Sequence, residues 1–187
     1  MVERNVSFRW HDRKWEIPYQ KTVSLWFIFN FTRLECPQDW VLHGNSCYHV
    51  IDTPTLNWSD ARTTCQNLGG DLAIIRSQDE NNFILDLIMK QPTIQEWAAW
   101  LGLYRKADNL FYWVDDTPLA GQYSAWADGE PNNYESNGEN CVHTYTRPLS
   151  RLGKWNDKLC NLDEANKYVA PVVLCQKKRY IWGRHPT

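Results

Sequence analysis

Side chains that could bind a hard metal ion are concentrated in one part of the sequence. A stretch from Glu130 to Cys141 reads EPNNYESNGENC, and a second polar cluster follows at Trp155-Asn156-Asp157. Calcium takes about six to eight oxygen ligands, drawn from carboxylates, Asn side chains and carbonyls. These segments supply such oxygens densely, and not the thiols and imidazoles on which a transition metal depends. Their composition therefore favours calcium.

Two other interpretations of this loop have to be weighed. An EF-hand needs D-x-[DN]-x-[DN]-G followed by a distal Glu, and no window of the sequence matches. Acidic loops rich in Asn and Gly are also common as solvated turns, and Glu-Pro-Asn alone does not exclude that interpretation. Cys141 and Cys160 bracket the second cluster, so a disulfide between them would hold that cluster beside Glu130 and Glu139.

The composition of the whole chain excludes several classes of protein. The 187 residues suffice for one packed domain with an appendage. A hydrophobic fraction of 43% argues against disorder, and a net charge of −2 with mixed signs gives no footprint for nucleic acid or an anionic membrane. The six cysteines contain no C-x-x-C pair, which predicts three disulfides in an oxidising compartment, with the pairing left open. We therefore expect a secreted or extracellular protein.

Two helices are predicted before the polar loop. Asn57 is a plausible N-cap for the first helix, and Gly69-Gly70 should end it. Ser77 and Glu80 form a capping box for the second, in which each side chain reaches the backbone of the other. Gln91-Pro92 should end that helix.

Short strands surround these helices. Cys36 to Tyr48 is predicted to form a hairpin that turns at Gly44-Asn45. Further strands, rich in aromatic and branched residues, are predicted at 99–103, 111–114, 141–145 and 169–175. The polar stretch from Gly121 to Gly153 is long for a compact domain, and such stretches are usually functional. The predicted fold class is α+β, with two helices flanking short antiparallel strands. Trp100, Trp113, Trp126 and Trp155 are expected in its core.

From Cys36 to about Lys178 the chain resembles a long-form C-type lectin domain. The resemblance rests on the cysteine order and on four motifs: Trp100-Leu-Gly-Leu103, Glu130-Pro-Asn132, Glu139 two residues before Cys141, and Trp155-Asn156-Asp157. It implies the C-type lectin fold, with two helices, short antiparallel sheets, a long calcium-binding loop and three disulfides. The implied pairs are Cys36–Cys47, Cys65–Cys175 and Cys141–Cys160.

The resemblance also implies which residues bind calcium and sugar. Carried over position by position, they are Glu130, Asn132, Glu139, Asn156 and Asp157, the last also through its backbone carbonyl. The peptide before Pro131 is cis in the family, which aims the side chains on both sides of the proline at one ion. The three negative carboxylates of this set repel one another when no calcium ion is bound. We therefore expect the loop to be poorly ordered without calcium. Tyr134 lies next to the site and could contact a second sugar, although an exposed loop tyrosine is the alternative.

A second calcium site is predicted to be absent or weak. Many relatives bind another ion through acidic residues after the W-I-G-L strand and beside the second ligand Glu. Here residues 105–108 read RKAD, and Asn140 follows Glu139. Because Arg105 and Lys106 repel a cation, we expect one principal calcium site.

These features predict a calcium-dependent lectin and not an enzyme. In the family, Glu-Pro-Asn implies sugars with equatorial 3- and 4-hydroxyls, such as mannose, N-acetylglucosamine, glucose and, in related geometry, fucose. Gln-Pro-Asp would imply galactose. Asp115 and Asp116 lie in a turn without a partner base, so a glycosidase is not indicated. The alternative is a C-type-lectin-like module that binds a protein or another non-sugar surface. The expected partners are glycans or glycoproteins, and an oligomer would add avidity.

The two ends of the chain fall outside this resemblance. Residues 1–35 contain no Cys or Gly, and Thr22 to Phe31 is the most apolar stretch. That stretch is too short for a convincing membrane-spanning helix, which needs about 20 residues. It has the length of a signal-peptide core, but acidic residues precede it and no cleavage site follows. We predict an N-terminal extension over 1–35, which is either an extra edge strand or a mobile extension, or else a defective or uncleaved secretion signal. The lectin domain is predicted over 36–178 and a C-terminal tail over 179–187.

Overall fold

The computed structural model describes residues 34–91, 98–134, 138–163 and 170–181. The chain divides into two units, of which one spans Glu35–Tyr180 and the other combines Met1–Leu34 with Ile181–Thr187. The predicted extension up to residue 33 and residues 182–187 of the predicted tail lie outside the described residues. The predicted domain limits therefore stay predictions.

Two α-helices and ten strands form the described part of the chain. Helix α1 spans Trp58–Asn67, helix α2 spans Gln78–Met89, and a short 3-10 helix spans Leu149–Arg151. The strands are β1 Leu34–Glu35, β2 Val41–His43, β3 Ser46–Ile51, β4 Asp71–Leu72, β5 Ala98–Arg105, β6 Phe111–Trp113, β7 Cys141–Tyr145, β8 Trp155–Lys158, β9 Val172–Lys178 and β10 Tyr180–Ile181. Neither described helix is long and apolar enough to cross a membrane.

Both helices begin at the predicted residues. The Asn57 side chain accepts a hydrogen bond from the Ser59 backbone N–H at 2.8 Å, which satisfies one of the free donors of the first turn. Ser77 Oγ accepts from the Glu80 backbone N–H at 3.1 Å. The second half of the predicted capping box differs, because the Glu80 carboxylate accepts from the backbone N–H of Arg76 at 2.6 Å, one residue before the cap.

Glycine and proline mark the ends of these elements. Helix α1 ends two residues before Gly69, whose φ of +74° lies in the left-handed region that favours glycine. Helix α2 ends at Met89, close to Gln91-Pro92. The β2–β3 hairpin turns at Gly44-Asn45, where Gly44 has a φ of +55°. The predicted hairpin and helix ends are thus confirmed.

The main sheet is mixed. Within the described residues its order is β2-β3-β9-β5-β7-β8, with β4 added on β9 and β6 on β5. Its pairs are antiparallel except β5 with β9, where Ala99 lies beside Val172 and Trp100 beside Val173 in parallel. The predicted α+β fold class with two helices is confirmed, and the sheet departs from the predicted antiparallel pairing at this pair among the described strands. Parallel neighbours need a long connection, and β6, β7 and β8 all lie between β5 and β9 in sequence.

Tryptophans fill the core and fix the strand that leads to the polar cluster. Trp100, Trp113 and Trp155 are fully buried, as predicted, whereas Trp126 is partly buried and packs against the core. The Trp113 and Trp155 rings meet edge to face with centroids 5.6 Å apart. Trp155 Nε1 donates to Asn81 Oδ1 at 2.9 Å, so its one polar atom is satisfied inside the core.

Three disulfides staple this unit. They join Cys36 with Cys47, Cys65 with Cys175, and Cys141 with Cys160, the pairs that the resemblance implies. The second disulfide ties α1 to β9 across a sequence separation of 110 residues. The third ties the start of β7 to the residue that lies two positions after β8.

Candidate functional site

Strands β7 and β8 carry the second polar cluster on the sheet. They pair antiparallel, with Asp157 opposite Val142. The buried Trp155 ring anchors the start of β8, and the Cys141–Cys160 disulfide joins the two strands at the other end. Asp157 therefore stands on a rigid element, which holds a functional side chain more firmly than a loop does.

The Asp157 carboxylate ties the polar loop to this sheet. Its Oδ1 accepts from the backbone N–H of Asn132 at 3.0 Å, and its Oδ2 accepts from that of Asn133 at 3.0 Å. Arg105 Nη2 also donates to Oδ2 at 2.7 Å. The Asp157 side chain is 0% exposed and that of Arg105 is 15% exposed, so this is a largely buried, charge-assisted ion pair.

Glu139 holds the next turn of the loop in a similar way. Its Oε2 accepts from the backbone N–H of Tyr134 at 2.8 Å, while its own N–H donates to Asn133 Oδ1 at 2.8 Å. Lys158 Nζ lies 3.5 Å from Glu139 Oε1. Glu139 is buried, so this carboxylate too is shielded from water and compensated by protein groups.

Glu130 is the carboxylate of the site without a protein cation among its described contacts. Burial raises its pKa, and the negative charge of Asp157, a side-chain hydrogen bond with Asp157 and the charge of Glu139 raise it further. Glu130 Oε2 is buried and has no hydrogen-bond partner in the described part of the chain. The Glu130–Pro131 peptide bond is cis. Two carboxylates in contact favour a proton or a cation between them.

The Asn156 side chain is buried and contacts groups on β7 and β8. Its Nδ2 donates to the Asp157 backbone carbonyl at 2.7 Å and lies 3.1 Å from His143 Nε2. His143 is fully enclosed, and burial lowers its pKa to about 3, so the ring is neutral and Nε2 can accept that hydrogen bond. The Asn156 carboxamide therefore lies against the Asp157 backbone carbonyl, an oxygen that the resemblance implies as a calcium ligand.

The donor set has the chemistry that calcium needs. The carboxylates of Glu130, Glu139 and Asp157 and the amides of Asn132 and Asn156 offer hard oxygens, and one buried carboxylate oxygen lacks a partner. In the described part of the chain, however, no group of three His, Cys, Asp or Glu side chains is arranged to hold a metal. Asp157 and Glu139 bond instead to backbone amides and protein cations. The residues therefore fit the ion in type, and some must exchange partners to bind it.

The structure places the predicted site residues in three ways. Glu130 lies close enough to Asp157 and Glu139 for both charges to raise its pKa, although the three side chains do not form a metal-binding group among the described residues. Asn132 joins them through its backbone, and the Asn156 carboxamide contacts the backbone carbonyl of Asp157. Tyr134 lies beside Glu139 with 84% of its surface exposed.

Four contacting residues were not predicted in their present roles. They are Arg105, Asn133, His143 and Lys158. The sequence predicts Arg105 only as an obstacle to a second cation. Lys158 directly follows Asp157, so the sequence itself could have indicated a cation near the site. Arg105 lies 52 residues before its partner Asp157, and this pairing becomes apparent only in the folded chain. At the position where relatives bind a second calcium ion, the Asp108 carboxylate accepts hydrogen bonds from the Leu110 backbone N–H and the Tyr112 hydroxyl.

Comparisons with known proteins agree on one family. The family model described as "Lectin C-type domain" matches residues 54–169. "C-type lectin domain family 4 member M" from Nomascus concolor is 35% identical over 137 residues, which cover 71% of this chain and 31% of that protein. The chain therefore spans about a third of the length of that relative.

Two solved structures share the fold. The cow C-type carbohydrate-recognition domain of CD23, determined in the presence of a GlcNAc2Man3 oligosaccharide, superimposes with a TM-score of 0.62 at 30% identity, covering 77% of this chain and 96% of that one. A calcium-independent type II antifreeze protein superimposes with a TM-score of 0.61 at 27% identity, covering 79% of this chain and 97% of that one. The fold is thus shared by a protein crystallised with sugar and by one that does not depend on calcium.

Proposed function

We propose that this chain, which belongs to the C-type lectin domain family, binds glycans through one calcium ion. Members of this family are binding proteins, and their domains generally bind calcium. The proposed ligands are Glu130, Asn132, Glu139, Asn156 and Asp157. One observation supports this most: the half-buried Glu130 interacts with Asp157, and its buried Oε2 has no hydrogen-bond partner among the described residues, so a cation placed there would relieve the repulsion.

The chemistry of a sugar hydroxyl suits these residues. Calcium, when bound, supplies positive charge and open coordination positions for two neighbouring hydroxyls. A hydroxyl has one proton to donate and two lone pairs. The carboxylates of Glu130 and Glu139 can accept the proton, and the amides of Asn132 and Asn156 can donate to the remaining lone pair. For this, Asn156 Nδ2 must leave the Asp157 carbonyl that it now contacts at 2.7 Å.

The order Glu130-Pro131-Asn132 favours mannose-type sugars with equatorial 3- and 4-hydroxyls. The order fixes on which side of the proline the acceptor and the donor stand, so reversing it would favour galactose. The CD23 domain was determined with an oligosaccharide that contains mannose and N-acetylglucosamine. Tyr134, with its ring exposed beside the site, is the proposed contact for a second sugar.

A calcium-independent binding module is the second candidate function. Arg105 and Lys158 already neutralise two of the three carboxylates, and the antifreeze protein of the same fold is described as calcium-independent. Under this alternative the loop would bind a protein or another surface without a metal. An auxiliary calcium site is not part of either proposal, because Arg105 and Lys106 stand in the sequence where relatives have acidic residues.

Mannose-resin chromatography tests the proposal. We expect retention in calcium, release by a chelator, and competition by mannose in preference to galactose. Glu130→Gln should weaken calcium binding about tenfold or more, because the number of charged ligands sets affinity. Asp128→Asn is the matched control, since Asp128 is an exposed acid two residues earlier. Retention that survives the chelator, or equal effects of the two variants, would favour the second candidate.

The setting proposed for this activity is extracellular. Three disulfides persist in oxidising compartments and are rare in the cytosol. The proposed partners are glycans or glycoproteins that carry mannose-type sugars. A single shallow site binds weakly, so we propose that several copies act together for avidity.

A further inference from the structure

We propose that Arg105 and Lys158 are positioning residues whose positive charges hold the segment 130–134 in its arrangement without a bound metal ion. The inference rests on the proposed function only for the identity of the site, and it does not depend on sugar binding. It differs from the expectation that the loop needs calcium for order. The two cations would take over the neutralising role that a metal ion has at such a cluster of acids.

Arg105 is itself firmly placed. It ends β5, and its backbone N–H donates to the Asn140 carbonyl at 2.7 Å, next to Glu139 in sequence. Its guanidinium lies over the Phe111 ring, 4.4 Å from the centroid, and meets Asp157 at 2.7 Å. A planar guanidinium is well suited to such stacking and carboxylate pairing. Because this pair is mostly shielded from water, its attraction is stronger than that of a surface pair.

The two cations act on three consecutive backbone amides. Arg105 pairs with Asp157, whose two oxygens accept from the amides of Asn132 and Asn133. Lys158 lies near Glu139, which accepts from the amide of Tyr134. The exchange rates of the Asn132 and Asn133 amides therefore report on Arg105, and that of the Tyr134 amide reports on Lys158.

The same contacts set the cost of binding calcium. A metal ion on Asp157 has to share or displace a guanidinium that is already bonded to Oδ2. Replacing Arg105 should therefore loosen the segment in the absence of calcium and enlarge the ordering that calcium produces. A residue with a merely structural role would loosen the segment equally with and without calcium.

Hydrogen exchange measured by NMR on the whole chain, in chelator and then in calcium, tests this inference. In chelator, Arg105→Gln should speed exchange of the Asn132 and Asn133 amides about tenfold and that of Tyr134 less. Lys158→Gln should show the reverse pattern. Lys106→Gln is the matched control, because Lys106 is the next cation in sequence and pairs with Asp116, whose side chain is 76% exposed.

The outcomes separate this inference from the proposed function. Unchanged exchange at all three amides in Arg105→Gln, or a wild-type segment protected only in calcium, would overturn it. Sugar retention does not enter the measurement, so a chain that fails on mannose resin can still pass. Circular dichroism checks folding, and Arg105→Lys, which keeps the charge but loses the planar fork, should fall between wild type and Arg105→Gln. An Arg105→Lys variant that exchanges as fast as Arg105→Gln would contradict a role based on charge.

Discussion

The acidic residues of the site differ in how the protein neutralises them. Asp157 has two amides and a guanidinium, Glu139 has an amide and an ammonium group, and Glu130 has an oxygen without a partner. Removing one partner of a buried ion pair typically costs about 3–5 kcal/mol because the other charge stays buried. Glu130 is therefore the acid whose negative charge an added cation would stabilise most.

Asn81 shows how a single polar residue supports the site from within the core. Its Nδ2 donates to the Gly153 carbonyl at 3.0 Å and its Oδ1 accepts from Trp155 Nε1 at 2.9 Å. Asn81→Ala leaves both groups buried without a partner, which should lower the free energy of unfolding by about 2 kcal/mol. Denaturant titration measures this change.

The neighbouring residue supplies the control for that prediction. Asn82 is exposed on the same helix and bonds only to Gln78 among its described contacts. Asn82→Ala should change the stability by less than about 0.5 kcal/mol. A similar loss in both variants would mean that helix propensity, and not the buried hydrogen bonds, decides the effect.

At the scale of elements, local signals placed the helices and the hairpin correctly. Asn57, Ser77 and Gly44 act through neighbours a few residues away, so their patterns are legible in the sequence. The parallel pairing of β5 with β9 depends on strands that are far apart in the chain, and residue types do not encode that direction. The protein cations of the site were missed for the same reason, since Arg105 meets Asp157 only after β5 and β8 enter one sheet.

The first helix offers a direct test of a local signal. Asn57→Ala removes the side chain that accepts from Ser59 and should lower the free energy of unfolding by about 1 kcal/mol. Asn57→Asp keeps a capping oxygen and should retain most of the stability. Both variants abolish the Asn57-Trp-Ser59 glycosylation sequon equally, so their difference in denaturant midpoint reports the cap alone. Equal losses would contradict a capping role.

At the scale of the whole unit, the disulfides and the mixed sheet connect distant parts of the chain. Cys65 on α1 and Cys175 on β9 are both fully buried, and β9 also pairs with β3, β4 and β5. The Cys141–Cys160 disulfide closes a much shorter span beside the site. The Cys65–Cys175 disulfide therefore stabilises the unit as a whole, whereas the Cys141–Cys160 disulfide holds the strands beside the polar loop.

Removing disulfides one at a time tests this division. In the chain-entropy model a bridge stabilises more when it closes a longer loop, so the separations of 110 and 11 residues predict different losses. The double alanine variant at Cys65 and Cys175 should lose about 4–5 kcal/mol of unfolding free energy, and the variant at Cys36 and Cys47 about 3 kcal/mol. Both variants replace two cysteines by alanine, so each is the chemical control for the other. Urea titration under oxidising conditions measures the order, and a less stable Cys36/Cys47 variant would contradict it. Because β9 lies in the middle of the sheet, the Cys65/Cys175 variant should also lose calcium binding, whereas the Cys36/Cys47 variant should keep it.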